Sequence, residues 1–137
     1  MSRTSSDSGV RRLLVVDDEP HIGLLLRPQF EALGYHVTLA RTLAEARAAI
    51  TPAPDFLLLD LHLPDGSGLD FLAEVRAAPA TRHLPVLILT ADGEDRAAER
   101  AGVLSASMFT KPFSPSKLVA RVSALLGDPG LASEPRP

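Results

Sequence analysis

The sequence predicts an α/β fold, a (βα)5 doubly wound parallel sheet, on three observations. Five short apolar runs, at residues 13–16, 35–40, 56–59, 86–89 and 108–110, have the length and composition of strands. The segments between them carry helix caps and helical apolar spacing. Three of the runs are continuously apolar, as strands buried on both faces of a parallel sheet are. Five βα units in succession imply right-handed crossovers around one sheet.

Taken in order, residues 1–9 are polar and Ser-rich and read as a flexible lead-in to a domain spanning residues 10–126. The first strand runs into Asp17-Asp18-Glu19-Pro20, and proline suits the first turn of a helix. Pro28 falls inside the same helical pattern, where a lost hydrogen bond costs about 3 kcal/mol, so a kink or a late start is expected. After the second strand, Thr42 and Glu45 make a capping box, with Leu43, Ala46 and Ile50 on one face. The third strand leads into Asp60. Ser67 with Asp70 caps a helix through Leu72 and Val75, which Pro79 ends. The fourth strand leads to Thr90, and Asp92 caps a short helix reaching Gly102. The fifth ends at Lys111-Pro112. The last helix carries Leu118, Val122, Leu125 and Leu126 along one stripe and stops at Gly127. Residues 127–137 include Pro129, Pro135 and Pro137 and read as a disordered tail or the start of a linker.

Composition narrows the function classes. The chain has 14 basic and 17 acidic residues, a net charge of −3. Nothing in that balance draws it to nucleic acid or to an anionic membrane, and neither is an expected partner. Cysteine is absent, which excludes disulfides, thiolate metal sites and a cysteine nucleophile, and fits a reducing cytoplasm. No apolar run approaches the ~20 residues that span a bilayer. Arg11-Arg12 before Leu13-Leu14-Val15-Val16 resembles a twin-arginine signal, but the run stops at once in three acids. A soluble, cytoplasmic protein is expected.

Polar residues gather where the strands end, and in open α/β sheets ligands bind at the carboxyl ends of the strands. Asp17-Asp18, Asp60, Thr90 and Lys111 all stand there. If the first and third strands are neighbours, three carboxylates converge, and their pKa values rise unless a cation intervenes. An all-oxygen, carboxylate-rich site open to solvent suits Mg2+. Lys111 adds a compact positive charge and Thr90 a hydroxyl. Metal, ammonium and hydroxyl could then each take one oxygen of a phosphoryl group held on a carboxylate. Only two lysines are present, and one stands where a point charge is useful.

The segments Leu14-Val15-Val16-Asp17-Asp18-Glu19-Pro20, Leu58-Leu59-Asp60-Leu61-His62-Leu63-Pro64, Leu89-Thr90-Ala91 and Thr110-Lys111-Pro112-Phe113 resemble the four signature segments of response-regulator receiver domains. The resemblance covers residues 10–126 and implies a flavodoxin-like sheet with strand order 2-1-3-4-5. It implies that Asp60 is phosphorylated by a sensor histidine kinase or a phosphotransfer protein. Asp17 and Asp18 match the acidic pair that holds Mg2+ together with Asp60, with the backbone carbonyl of His62 as a further ligand. Lys111 matches the lysine that pairs with the phosphoryl group, and Thr90 the switch hydroxyl. Small Ala91 leaves access, Gly68 matches a loop glycine, and His62 and Asp92 match positions that tune phosphoryl lifetime. The sequence departs from the pattern at the second switch position, where Met108 stands in place of an aromatic residue. Phe109 has the opposite strand parity and should face the core.

Each of these residues also has a plain reading. Asp17-Asp18-Glu19 could simply cap a helix, and Asp60 could open the Pro64-Asp65-Gly66 turn. Thr90 could be a strand-end β-branched residue, His62 a solvent-exposed side chain and Met108 a gap filler. A buried acid ending an apolar strand is costly, which weighs against the plain reading of Asp60.

The expected function is therefore a stand-alone receiver, a phosphorylation-dependent signalling switch with only slow autodephosphorylation and no enzymatic turnover. Its output would be a protein-interaction surface formed by the helix near residues 93–101, the fifth strand and the last helix, the same face through which a homodimer could form. Three rivals stand beside it. The chain could be the receiver half of a longer DNA-binding regulator, or a partner-binding receiver that is never phosphorylated. It could also be an aspartate-nucleophile phosphohydrolase of the haloacid dehalogenase type. The last usually needs a second acid two residues after the nucleophile, where His62 stands.

Overall fold

Alternation along each strand divides the core into two layers. The computed structural model describes residues 10–91, 102–111 and 113–127. In chain order they form β1 (Arg12–Val16), α1 (Pro20–Ala32), β2 (His36–Ala40), α2 (Leu43–Ala49), β3 (Phe56–Asp60), β4 (His62–Leu63), β5 (Gly66–Ser67), α3 (Gly68–Ala77), β6 (Val86–Ala91), β7 (Ser107–Lys111) and α4 (Pro115–Leu126). Leu13 and Val15 of β1 join Ile22, Leu26 and Phe30 of α1 and Leu118 and Val122 of α4 in one buried cluster. Leu14 and Val16 join Leu43 and Ala46 of α2 and Phe71 and Leu72 of α3 in the other. A period of two in the strands thus feeds a helix layer on each face.

Five parallel strands lie in the order β2-β1-β3-β6-β7, the expected 2-1-3-4-5 once the small antiparallel β4–β5 hairpin is set aside. From β1 the chain goes outward to β2, then returns to pair β3 on the other side of β1. That reversal opens a crevice between the carboxyl ends of β1 and β3.

Local chemistry explains the helix ends. Glu45 N–H donates to Thr42 Oγ1 at 3.0 Å, and Arg41 N–H donates to Glu45 Oε1 at 2.8 Å, so the capping box forms one residue wider than the simple pattern. Ser67 caps α3 through Leu69 N–H at 3.1 Å. Ala78 is extended ahead of Pro79, as the proline ring demands, and α3 stops there. Gly127 closes α4 with a left-handed φ of 70°.

Two expectations are corrected. Helix α1 does not start late: it begins at Pro20 and continues past Pro28 to Ala32. Burying Leu26 and Phe30 completely, at about 1.5–3 kcal/mol each, outweighs the hydrogen bond that Pro28 cannot make. Leu125 is not in the apolar stripe of α4 but exposed, because the buried side is Leu118, Val119, Val122 and Ser123. Ser123 earns its place there through a 3.0 Å hydrogen bond to the Tyr35 hydroxyl. The lead-in, the helix expected after Asp92, Pro112 and the tail beyond Gly127 lie outside the described residues, as does the side chain of Ala91. Among the described residues, no helix is long and apolar enough to cross a membrane.

Candidate functional site

Parallel pairing brings the acids together. Leu13 to Val16 lie beside Phe56 to Leu59, so Asp17, one residue past β1, and Asp60, the last residue of β3, emerge side by side. Asp17, Asp18 and Asp60 each offer a carboxylate oxygen, and these oxygens lie within 4.8 Å of one another. Asp17 and Asp60 are buried. Asp17 Oδ1 accepts from Glu19 N–H at 3.0 Å, which folds the acidic turn back on itself. Glu19, the N-cap of α1, makes no side-chain capping bond, so its carboxylate is not spent on the helix end.

The cation comes from the far strand. Ala91 of β6 pairs with Lys111 at the end of β7, which carries the lysine past β6 towards β3. Its Nζ lies 3.2 Å from Asp17 Oδ2, 3.5 Å from Asp60 Oδ1 and 3.9 Å from Glu19 Oε1. Thr90 is buried one residue beyond Leu89, the register partner of Asp60. His62 follows at the start of β4 with an exposed side chain, and its backbone N–H bonds the Asp60 carboxylate. Gly68 packs so closely on Asp60 that a Cβ there would collide with the Asp60 carbonyl. Met108 sits two residues before Thr110, the partner of Thr90, partly buried against the α2–α3 layer. Phe109 packs into the opposite layer beside Phe113, as strand parity requires. Asp92 lies outside the described residues.

The electrostatics are those of carboxylates crowded together in a buried site. Burial raises the pKa of Asp60, the Asp17 charge adds to the rise, and Lys111 only partly offsets it. Burial pulls the Lys111 pKa down, but Asp17, Asp60 and Glu19 together outweigh this and leave it raised. Asp17 Oδ2 is buried with no hydrogen-bond partner, although Lys111 faces it as an ion pair. Three convergent carboxylates, one of which carries a buried oxygen without a hydrogen bond, fit a magnesium ion better than a softer metal.

Sequence reasoning missed Asp65. Its two oxygens accept from Leu43 N–H at 2.7 Å and Ala44 N–H at 3.1 Å, across 22 and 21 residues of chain. The signal was an acid in a turn, read as turn chemistry alone, with no local hint that it reaches a second helix. Arg76 was missed too: its guanidinium bonds five backbone carbonyls.

Comparison with known proteins bears directly on the family. The family model of the response regulator receiver domain matches residues 13–123. The chain belongs to that family. The phosphate regulon transcriptional regulatory protein PhoB of Escherichia coli is 39% identical over 118 residues, 85% of this chain and 52% of PhoB. The receiver therefore spans about half the length of the curated relatives it matches. The non-phosphorylated receiver domain of HemR from Leptospira biflexa is 32% identical, with a TM-score of 0.79 over 93% of this chain and 98% of that one. A putative response regulator from Chloroflexus aurantiacus is 35% identical, with a TM-score of 0.78 over 86% of this chain and 98% of that one. The receiver fold expected from the four segments is the fold found.

Proposed function

We propose that this receiver domain is a phosphorylation-dependent signalling switch whose phosphoacceptor is Asp60. The observation that carries the reading is the convergence of Asp17, Asp18 and Asp60 within 4.8 Å beside the Lys111 ammonium. Asp17, Asp18 and Asp60, with the backbone carbonyl of His62, would hold Mg2+, which supplies positive charge to offset the phosphoryl oxygens. An Asp60 carboxylate oxygen forms a bond to phosphorus as the bond from phosphorus to a donor histidine nitrogen breaks, and that nitrogen keeps the electron pair. The donor is a sensor histidine kinase or a phosphotransfer protein. Lys111 stays within reach of the new charge, and the Thr90 hydroxyl donates to a phosphoryl oxygen. His62 and Asp92 govern how readily water reaches the product. Met108 replaces the usual aromatic and couples weakly to Thr90.

The output is a changed face around the 93–101 segment, β7 and α4, read by a protein partner or by a second copy of the chain. The domain works in the cytoplasm, binds no nucleic acid itself, and performs no turnover beyond slow autodephosphorylation. A second reading is favoured by one observation: the curated relatives are named transcriptional regulatory proteins about twice as long as this match. On that reading the receiver is half of a longer DNA-binding regulator, with the same Asp60 chemistry. Incubation with Mg2+ and acetyl phosphate, followed by peptide mass mapping, tests the Asp60 chemistry that both readings share. Phosphoryl mass on Asp60 is expected, and undiminished labelling of Asp60→Asn would sink the assignment.

A further inference from the structure

We propose that Asp65 is a positioning residue for the carboxylate site, pinning the hairpin that follows Asp60 to the first turn of α2. The inference deepens the reading above and rests on it, because it concerns the His62 carbonyl that would face the metal.

The hairpin is short and closed. Residues His62 and Leu63 of β4 pair with Ser67 and Gly66 of β5, and Gly68 N–H donates to the Leu61 carbonyl at 2.8 Å. Its base is therefore closed at the residue after Asp60, and its tip is the Pro64-Asp65 turn. Left to itself, a two-strand ribbon of four paired residues is marginal in water. Asp65 secures the tip: one oxygen takes Leu43 N–H at 2.7 Å and the other takes Ala44 N–H at 3.1 Å. These are two of the four amides that a helix start leaves without internal partners, and the bonds are charge-assisted. Gly66 completes the fit, since a Cβ there would come within 2.8 Å of Leu43 Cδ1.

The anchor on the other side leads back to the same site. Asp17 N–H donates to the Ala40 carbonyl at 3.0 Å, and Ala40 ends β2 three residues before Leu43. A closed ring of contacts thus runs from Asp17 through Ala40, Leu43 and Asp65 into the hairpin and back to Asp60. Cutting it at Asp65 leaves Asp17 and Asp60 held at the ends of β1 and β3 but frees the hairpin segment carrying the His62 carbonyl. The Thr42 side chain, which caps Glu45 N–H in the same helix, makes none of the ring's bonds.

That distinction sets the test. Magnesium affinity is measured by calorimetry with MgCl2 alone, and amide exchange at Leu43, Ala44 and His62 is followed by NMR. Asp65→Ala is expected to weaken Mg2+ binding by about tenfold, the lower end for groups that orient metal ligands, and to speed exchange at all three amides. Thr42→Ala should loosen α2 yet bind Mg2+ as the wild type does. Asp65→Asn keeps one acceptor oxygen and loses the charge, so it should retain most of the affinity and also covers the case in which Asp65→Ala folds poorly. If Asp65→Asn lost as much affinity as Asp65→Ala, the effect would be charge and the positioning role would fall. Unchanged affinity in Asp65→Ala would overturn it as well. Failure of the wild type itself to bind Mg2+ would instead remove the metal-site reading, and the inference with it.

Discussion

Asp60 Oδ1 lies 3.5 Å from Lys111 Nζ, and this lysine faces a carboxylate that its surroundings disfavour. Burial and the neighbouring Asp17 raise the Asp60 pKa despite the lysine. The folded protein therefore holds the Asp60 proton to higher pH than the unfolded chain does. Between the ordinary carboxylate pKa and the raised one, stability falls as pH rises, and the loss is complete above the folded value. In chelator, Asp60→Asn should remove that penalty and raise the melting temperature at pH 7 by about 2–6 °C for a domain of this size. The gain should shrink as pH drops through the carboxylate range. A variant less stable than the wild type at pH 7 would show that the carboxylate is better accommodated than its burial implies.

Lys111 competes with any metal for the same oxygens, being 3.2 Å from Asp17 Oδ2. Removing it should have opposite effects on two measurements. Lys111→Met should destabilise the metal-free protein by about 1–3 kcal/mol, because Asp17 and Asp60 are left facing each other without a counter-charge. The same variant should bind Mg2+ several-fold more tightly while accepting phosphoryl more slowly from acetyl phosphate. Combining it with Asp60→Asn should restore much of the stability, a non-additive result that a double-mutant cycle reads directly. Equal Mg2+ affinity in Lys111→Met and wild type would mean that the ammonium leaves the metal position free.

The fold and the site's members were legible because each is a short-range feature. Continuous apolar runs specified buried parallel strands, and the acids, threonine and lysine all sit at or just beyond strand ends, where topology alone gathers them. What escaped is long-range. Asp65 finds its partners 22 and 21 residues away, and Arg76 reaches Leu104 and Ser105 across 28 and 29. No local pattern encodes such bonds. Leu125 misled because helical spacing from Leu118 and Val122 admits it, whereas tertiary packing extends the buried side to Val119 and Ser123 and leaves Leu125 exposed. Pro28 misled about where α1 starts by an opposite route, a local penalty overruled by the burial of Leu26 and Phe30.

Gly68 illustrates a steric requirement at the site. A methyl group there would strike the Asp60 carbonyl and come within 3.0 Å of Leu61 Cα, both backbone atoms that cannot rotate away. Gly68→Ala should cost about 1–3 kcal/mol, as overpacking against backbone does. It should also slow phosphorylation beyond what that loss explains, because relief requires Asp60 itself to move. Denaturant titration alongside acetyl phosphate labelling at a temperature where the variant is fully folded separates the two. Wild-type labelling in a destabilised Gly68→Ala would confine the glycine's role to packing.

Arg76 holds the approach to β7 by an unusual means. Its Nε donates to the Leu104 carbonyl at 2.7 Å, Nη1 to Leu84 at 2.7 Å and Nη2 to Ser105 at 3.1 Å, with longer bonds from Nη1 to Thr81 and Arg82. Ser105 has a φ of 58°, a left-handed conformation that a non-glycine residue adopts only when its surroundings enforce it. Burial lowers the arginine's pKa, yet the group remains charged because its ordinary value is so high. One planar fork thus joins α3, the entry to β6 and the turn before β7. Arg76→Ala leaves several carbonyls without donors and should cost about 2–4 kcal/mol. Arg76→Lys should recover less than half of that, since a single ammonium cannot span carbonyls arrayed around a plane. Hydrogen exchange should then quicken at residues 102–107 while β1 and α1 keep their protection. Full rescue by lysine would show that charge alone, rather than the spread of donors, holds this junction.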